Sequence, residues 1–248
     1  MINLRNQYLE KRIRKSLNVS ETYILSEDDL VGVTGIYIDN SDDIDNSAIP
    51  VYWDLDFSSA FKMRIPNLLL NYAELILYDE WEDDLRLLSN IRSFYCSQPI
   101  SHSLLGCYSK LNDLNLSCME ISDWSFLTGM MKLRNIVLYG CGHDGNQALK
   151  HLCDLYTAQF SLRKHYGTDR KIDPINQLLE NVAIINMGID DISPLRHVKR
   201  LTELNLSRNA IKDISPLSEM HAYCVVLGNN RIENVNNLNI KGISSLQL

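Results

Sequence analysis

Residues 201–217 read LTELNLSRNAIKDISPL, and their apolar positions are Leu201, Leu204, Leu206, Ile211, Ile214 and Leu217, with Asn209 between the two halves. Moving 21 residues on gives Ala222, Val225, Leu227, Asn230, Ile232, Val235 and Leu238 in the same places. Moving back 22 gives Leu179, Val182, Ile184, Met187, Ile189, Ile192 and Leu195. Two upstream copies are also 22 apart, one running from Leu111, Leu114, Leu116 and Met119 to Ile121, Trp124 and Leu127, the other through Leu133, Ile136, Leu138 and Cys141. Weaker copies predict short strands at Ile36–Ile38, Trp53–Leu55, Leu75–Leu77, Phe94–Cys96 and Ala158–Phe160. The tail ISSLQL sets Leu246 and Leu248 where a further strand begins.

An alternation of period 2 inside a unit of about 22 residues is the mark of a leucine-rich repeat. The Leu-x-Leu pair is a short strand with its leucines turned inward and its x residue turned out, because successive side chains leave a strand on opposite faces. Asn209, Asn230 and Cys141 stand where the chain must turn, and a side chain there hydrogen-bonds backbone groups that the strand ladder leaves unpaired. Asp-Ile-Ser-Pro-Leu occurs at 191–195 and 213–217, and its proline suits a turn or one-turn helix rather than a strand. The predicted fold is α/β: a curved leucine-rich repeat solenoid, with short parallel strands on the concave face and turns and short helices on the convex face.

One repeat cannot bury its apolar face alone, so the stack needs a cover at its ends. Leu9, Ile13 and Leu17 recur every four residues in NLRNQYLEKRIRKSLN, predicting an amphipathic helix with Asn3 as N-cap. We therefore divide the chain into an N-terminal helical cap over 1–32 and a repeat domain over 33–248, with irregular insertions near 39–50 and 141–178. The cap and the later 22-residue units resemble bacterial leucine-rich repeat proteins of the internalin-like kind. That resemblance implies a solenoid that binds proteins on its concave face and performs no catalysis.

The 248 residues carry a formal charge of −7, unevenly spread. Residues 27–84 hold fifteen acids against two bases, which leaves the rest of the chain at +6. An acidic third is a poor surface for a nucleic-acid backbone and a good one for a basic protein. No apolar run reaches the roughly 18 residues of a membrane span, and the first twenty lack the apolar centre of a secretory signal. Six cysteines are too few for a disulfide scaffold in a chain this long. The expectation is a cytoplasmic protein with no nucleic-acid or membrane partner and no cofactor.

Two stretches imitate chemistry. Gly140, Gly142 and Gly145 in NIVLYGCGHDGNQALKHL spell GxGxxG between a predicted strand and a predicted helix, the setting of a dinucleotide or S-adenosylmethionine loop. This is the alternative function, a methyltransferase-like or NAD-binding enzyme. Against it, AQFSLRKHY offers Arg163 and Lys164 where an acid is required, and ribonuclease-inhibitor-like repeats show the same order of strand, Cys, loop and helix. Cys141, His143, His151 and Cys153 are zinc-type ligands, but His151 and Cys153 lie about 200° apart on a helix and do not converge. Arg163, Lys164, His165, Arg170 and Lys171 lack the aromatic interleaving of a nucleic-acid patch and read as a solvated loop.

The outward strand positions define the predicted binding face. Its amino-terminal half is acidic and rich in tyrosine: Tyr37, Asp39, Tyr52, Asp54, Asp56, Glu74, Tyr78, Tyr95 and Tyr139. Tyrosine supplies contact area at little entropic cost and carboxylates steer a basic partner. An immunity- or effector-type role fits such a surface. Self-association through the carboxy-terminal strand edge is a further expectation.

Overall fold

Apolar residues at every second position must share one side of an extended chain, and stacking such segments in parallel joins their inner sides into a single core. In a computed structural model that describes residues 2, 4–40, 67–78, 81–166, 178–233 and 241–248, nine parallel strands form one sheet. They are β1 (Gly35–Asp39), β2 (Leu68–Asn71), β3 (Ser93–Cys96), β4 (Asp113–Ser117), β5 (Asn135–Tyr139), β6 (Asn181–Ile185), β7 (Glu203–Asn205), β8 (Ala222–Val226) and β9 (Ile243–Gln247). The register aligns Phe94, Leu114, Ile136, Val182, Leu204, Val225 and Leu246 into one inward column, matching the repeat read from the sequence. The chain has the leucine-rich repeat solenoid fold.

The returning segments lie on the other side of that core. They include α4 (Trp81–Arg86), α5 (His102–Gly106), the 22-residue α6 (Gly145–Tyr166) and short 3-10 turns at Ser125–Gly129, Ser193–His197 and Ser215–Leu217. Both Ser-Pro-Leu stretches form such turns with proline in the first positions, where its missing N–H costs nothing. Trp124, Phe94, Leu114, Leu138 and Leu204 are fully buried between the layers. The turn after each strand is built the same way in five units: Cys118, Gly140, Asn186, Arg208 and Asn229 all have φ between 54° and 60°. Left-handed backbone there belongs to the repeat and not to glycine, since four of the five residues are not glycine.

In three of these units the side chain at the next position holds the turn in place. Asn209 Oδ1 accepts from the amides of Met187 (3.0 Å) and Ile189 (3.1 Å), while its Nδ2 donates to the carbonyls of Ile184 and Leu206. Asn230 repeats the pattern one unit on, accepting from Ile211 and donating to Leu206 and Leu227. Cys141 Sγ donates to Leu116 O of the preceding unit at 3.2 Å. These are the roles expected of the three residues.

The amino-terminal end departs from simple stacking. The sheet order is β2-β1-β3, so the chain leaves β1, returns as β2 on the outer side, and then crosses to β3. Helices α1 (Gln7–Leu17), α2 (Glu27–Leu30) and α3 (Tyr72–Leu75) gather at this end. Leu9 and Ile13 of α1 are fully buried. The α1 side chains also satisfy the edge of β2: Arg12 Nε donates to Leu69 O at 2.7 Å, and Asn71 N donates to the Tyr8 hydroxyl at 2.7 Å. Edge groups paired in this way offer no template for another strand. The N-cap of α1 is Asn6 rather than Asn3: its Oδ1 accepts from Leu9 N, and its Nδ2 reaches Leu75 O. The buried Asp84 fixes this corner by accepting from the amides of Arg5 and Asn6, both at 2.7 Å.

Two expected strands are corrected. Leu75–Leu77 is not a strand: Leu75 ends α3, which Asn71 caps by accepting from Glu74 N, and Ile76 and Leu77 follow exposed. Ala158–Phe160 lies inside α6. The expected strand at Trp53–Leu55 falls outside the described residues.

Candidate binding face

Alternation sends three rows of side chains out from the sheet, on the side away from the helices. Along the middle row, Leu69, Tyr37 and Tyr95 stand side by side, followed by Asn115, Val137 and Ala183. Tyr37 and Tyr95 are only 7% and 5% exposed, and with Leu69 they form a small apolar cluster on this face. Val137, Ala183 and Ile185 form a second one, against which Tyr139 packs half-buried. The tyrosines at 37 and 95 therefore present little aromatic area, and Tyr139 presents more.

The row beyond it includes a carboxylate. Asp39, at the end of β1, is half-buried and held by three donors: the Tyr37 hydroxyl on Oδ2 (2.9 Å), and the Ser97 hydroxyl and Asn40 amide on Oδ1 (both 2.8 Å). A carboxylate has about four acceptor positions, so Oδ2 keeps room for one more donor. Asn40, exposed beside it, donates to Gln98 Oε1 at 3.1 Å, tying the ends of β1 and β3 together. The site is thus a carboxylate held from the ends of two strands, with one acceptor position unfilled among the described residues.

The near row is a polar ladder. Asn135 Nδ2 donates to Asp113 Oδ1, and Asn181 Nδ2 donates to Asn135 Oδ1 at 2.7 Å. Both bonds run straight across adjacent strands, where side chains of one face stand within reach. Ser93 and Glu203 continue the row, and all five residues are buried. The signal was present as a polar residue directly before the first leucine-type position of each unit, at intervals near 22.

The remaining expected site residues are scattered. Glu74 lies in α3 and Tyr78 follows it, so neither belongs to a strand of this face; Glu74 is exposed and Tyr78 half-buried. Tyr52, Asp54 and Asp56 lie outside the described residues. Gln159, expected on a strand, is buried in α6, donating to Leu133 O and accepting from Leu179 N.

The glycine loop is explained by packing. Gly140 and Gly142 have φ of +59° and +81°, and Gly145 sits so close to the neighbouring unit that an added Cβ would lie 2.6 Å from Met187 O. The Gly145 amide, at the start of α6, donates to that same carbonyl at 3.0 Å and is spent there. Burial pushes the Cys141 and Cys153 thiols up to about 12, opposite to what a zinc ligand requires. Among the described residues no group of three His, Cys, Asp or Glu side chains gathers to hold a metal ion, and no helix is long and apolar enough to cross a membrane.

No family model and no curated protein matches the chain. Among solved structures, internalin C2 from Listeria monocytogenes superposes with a TM-score of 0.57 at 19% identity, covering 98% of this chain and 93% of that one. An internalin F structure from the same organism gives 0.46 at 19% identity, over 98% and 75%. At this identity the likeness to internalin C2 is one of fold.

Proposed function

We propose that a leucine-rich repeat solenoid of this build is a non-enzymatic protein-binding module, holding a basic partner on the amino-terminal half of the sheet face that the sequence reads as concave. The observation that carries the reading is Asp39. Its carboxylate is preorganised by Tyr37, Ser97 and Asn40, retains one acceptor position, and stands at the half-exposed rim where a lysine or arginine can reach it. Charged groups so placed set specificity and association rate more than raw affinity. Tyr139 adds apolar area two strands beyond β3. Tyr52, Asp54 and Asp56 belong to the same acidic third, as do Glu74 in α3 and Tyr78 after it.

An immunity- or effector-type role, in which the acidic face covers the working surface of a basic protein, agrees with this charge. Six unpaired cysteines, four of them buried, favour a reducing and hence cytoplasmic setting. Self-association has one supporting feature: no described residue pairs with the outer edge of β9.

A pull-down from native lysate at about 50 and 200 mM salt, comparing wild type with Asp39→Asn, tests the reading. A basic protein retained by wild type and lost by the variant supports it. Equal retention by both chains removes Asp39 from the interface, and with it the case for this face.

A further inference from the structure

The strands' amino-terminal ends form a rim on the opposite side of the sheet from Asp39, and its residues are laterally continuous. Asn112 N donates to Arg92 O, Arg134 N to Asn112 O, Glu180 N to Arg134 O, Thr202 N to Glu180 O, and Tyr223 N to Thr202 O, all between 2.7 and 3.0 Å. One backbone step therefore separates neighbouring units along the rim, about 4.8 Å as in any sheet. Arg92 stands on this line in the unit of β3. Lys110 and Lys132 stand two residues before it in the units of β4 and β5, where Asn112 Nδ2 clasps Lys132 O. Arg200 and His221 bridge two further units in the same position.

These cations are not used by the fold. Arg92, Lys110, Lys132 and Arg200 are exposed, and among the described residues none of them forms an ion pair. By contrast the rim's Arg134 is paired with Glu180 at 2.6 Å, and Lys199 with Glu219 at 2.6 Å. Three consecutive units thus each present one unspent positive charge on one edge of an otherwise acidic protein. Carrying like charges one strand apart is unfavourable by itself.

We infer that this rim is a second interaction surface, which takes an acidic polypeptide segment with its carboxylates on the face of a helix. Glutamates at i and i+3 or i+4 of a helix are about 5–6 Å apart, close to the one-strand spacing between the equivalent positions of Lys110 and Lys132, with Arg92 two residues further along the next strand. A nucleic-acid strand fits less well, because base stacking needs aromatic platforms and among the described residues this line of the rim offers only Tyr223, at one end. The surface is opposite in sign to the Asp39 face, and the inference does not depend on what that face binds.

Fluorescence anisotropy with a labelled (Glu-Ala-Ala)5 peptide tests it, using the full chain at about 50 and 300 mM salt. Binding to wild type, weakened at least tenfold in Arg92→Glu/Lys110→Glu/Lys132→Glu and less than twofold in Lys11→Glu/Lys150→Glu/Lys212→Glu, supports the rim. The control removes the same charge from exposed positions elsewhere, so equal losses in the two variants would reduce the effect to net charge and overturn the assignment. The neutral variant Arg92→Gln/Lys110→Gln/Lys132→Gln, with its melting temperature checked, serves if the charge reversal unfolds the protein, and it must also lose binding. No binding by wild type overturns the proposal. So does a 15-nucleotide single-stranded RNA bound more tightly than the peptide through the same three residues.

Discussion

Asn209→Ala separates the repeat's hydrogen-bonding from its apolar packing. Asn209 is nearly buried, 9% exposed, and its side chain joins the β7 unit to the preceding one. Removing it orphans the amides of Met187 and Ile189 and takes a donor from the carbonyls of Ile184 and Leu206. A buried polar group left unpaired costs about 1–3 kcal/mol, so the two amides alone predict a loss of roughly 4 kcal/mol, with the carbonyls adding less because each retains a second lone pair. Asn230 orphans only the amide of Ile211 and is half-buried, so Asn230→Ala costs about 1–2 kcal/mol. Urea unfolding followed by circular dichroism measures both, and the Asn209 variant also melts roughly 8–16 °C lower, at 2–4 °C per kcal/mol for a chain of this size. Asn209→Cys recovers about 1 kcal/mol of the loss, since one thiol donor replaces two amide donors, as at Cys141. A loss below about 1 kcal/mol for Asn209→Ala, or one no larger than for Asn230→Ala, would refute the claim that this position ties the units together.

Gly145→Ala places a methyl group 2.6 Å from both Met187 O and Ile189 Cγ1, backbone and core that cannot move aside cheaply. It is expected to cost about 1–3 kcal/mol in the same urea assay, whereas Gly106→Ala, with open space around it, costs nothing measurable. If the loop were instead a nucleotide site, NAD or S-adenosylmethionine at 100 times its dissociation constant would raise stability by about 2.7 kcal/mol; no shift is expected. Acid titration is the other handle. Asp213 and Asp123 are held below the usual carboxylate range, chiefly by the Ser215 and Ser125 amides, then by the hydroxyls of the same serines. A depressed folded-state value means that the stabilisation is complete above the unfolded value of about 3.9 and is lost as pH falls through the folded one. Asp213→Asn and Asp123→Asn should therefore flatten the fall of melting temperature below about pH 4, and a fall as steep as wild type would remove these turns as its cause.

The repeats between 111 and 141 and between 182 and 227 were readable because each core position is fixed by the unit before it. Leu114, Ile136, Val182, Leu204 and Val225 occupy one column, so an error in one unit would show against four others. LLLNYAELIL at 68–77 had no such check. A continuous apolar run suits a buried strand or a buried helix equally, and the only local sign of the boundary is Asn71, whose side chain caps α3. Ala158–Phe160 failed for a related reason. Three residues cannot show a period, and the 22-residue α6 around them could. The order β2-β1-β3 was beyond sequence reading, since β1 pairs with strands on either side at separations that no repeat sets.

The binding face was the least readable part, and the physics of a solenoid says why. Inward positions answer to one shared core and repeat; outward positions answer to lateral neighbours and need not. Tyr37 and Tyr95 look like exposed anchors in sequence, yet adjacent strands bring them together with Leu69, and they spend their area on one another. Asp39 is held in part by Ser97, a residue 58 positions away just past the end of β3, which no local reading of the sequence supplies. What does carry over from sequence is sign. Charge is not consumed by packing against a neighbour of the same kind, so Asp39 and the rim cations Arg92, Lys110 and Lys132 remain at the surface of the described residues after folding, whereas Asp84 is buried as a cap for the amides of Arg5 and Asn6. Asp39 and the rim at Arg92 lie at opposite ends of the strands, so the two proposed contacts, a basic partner at one end and an acidic segment at the other, would not displace each other.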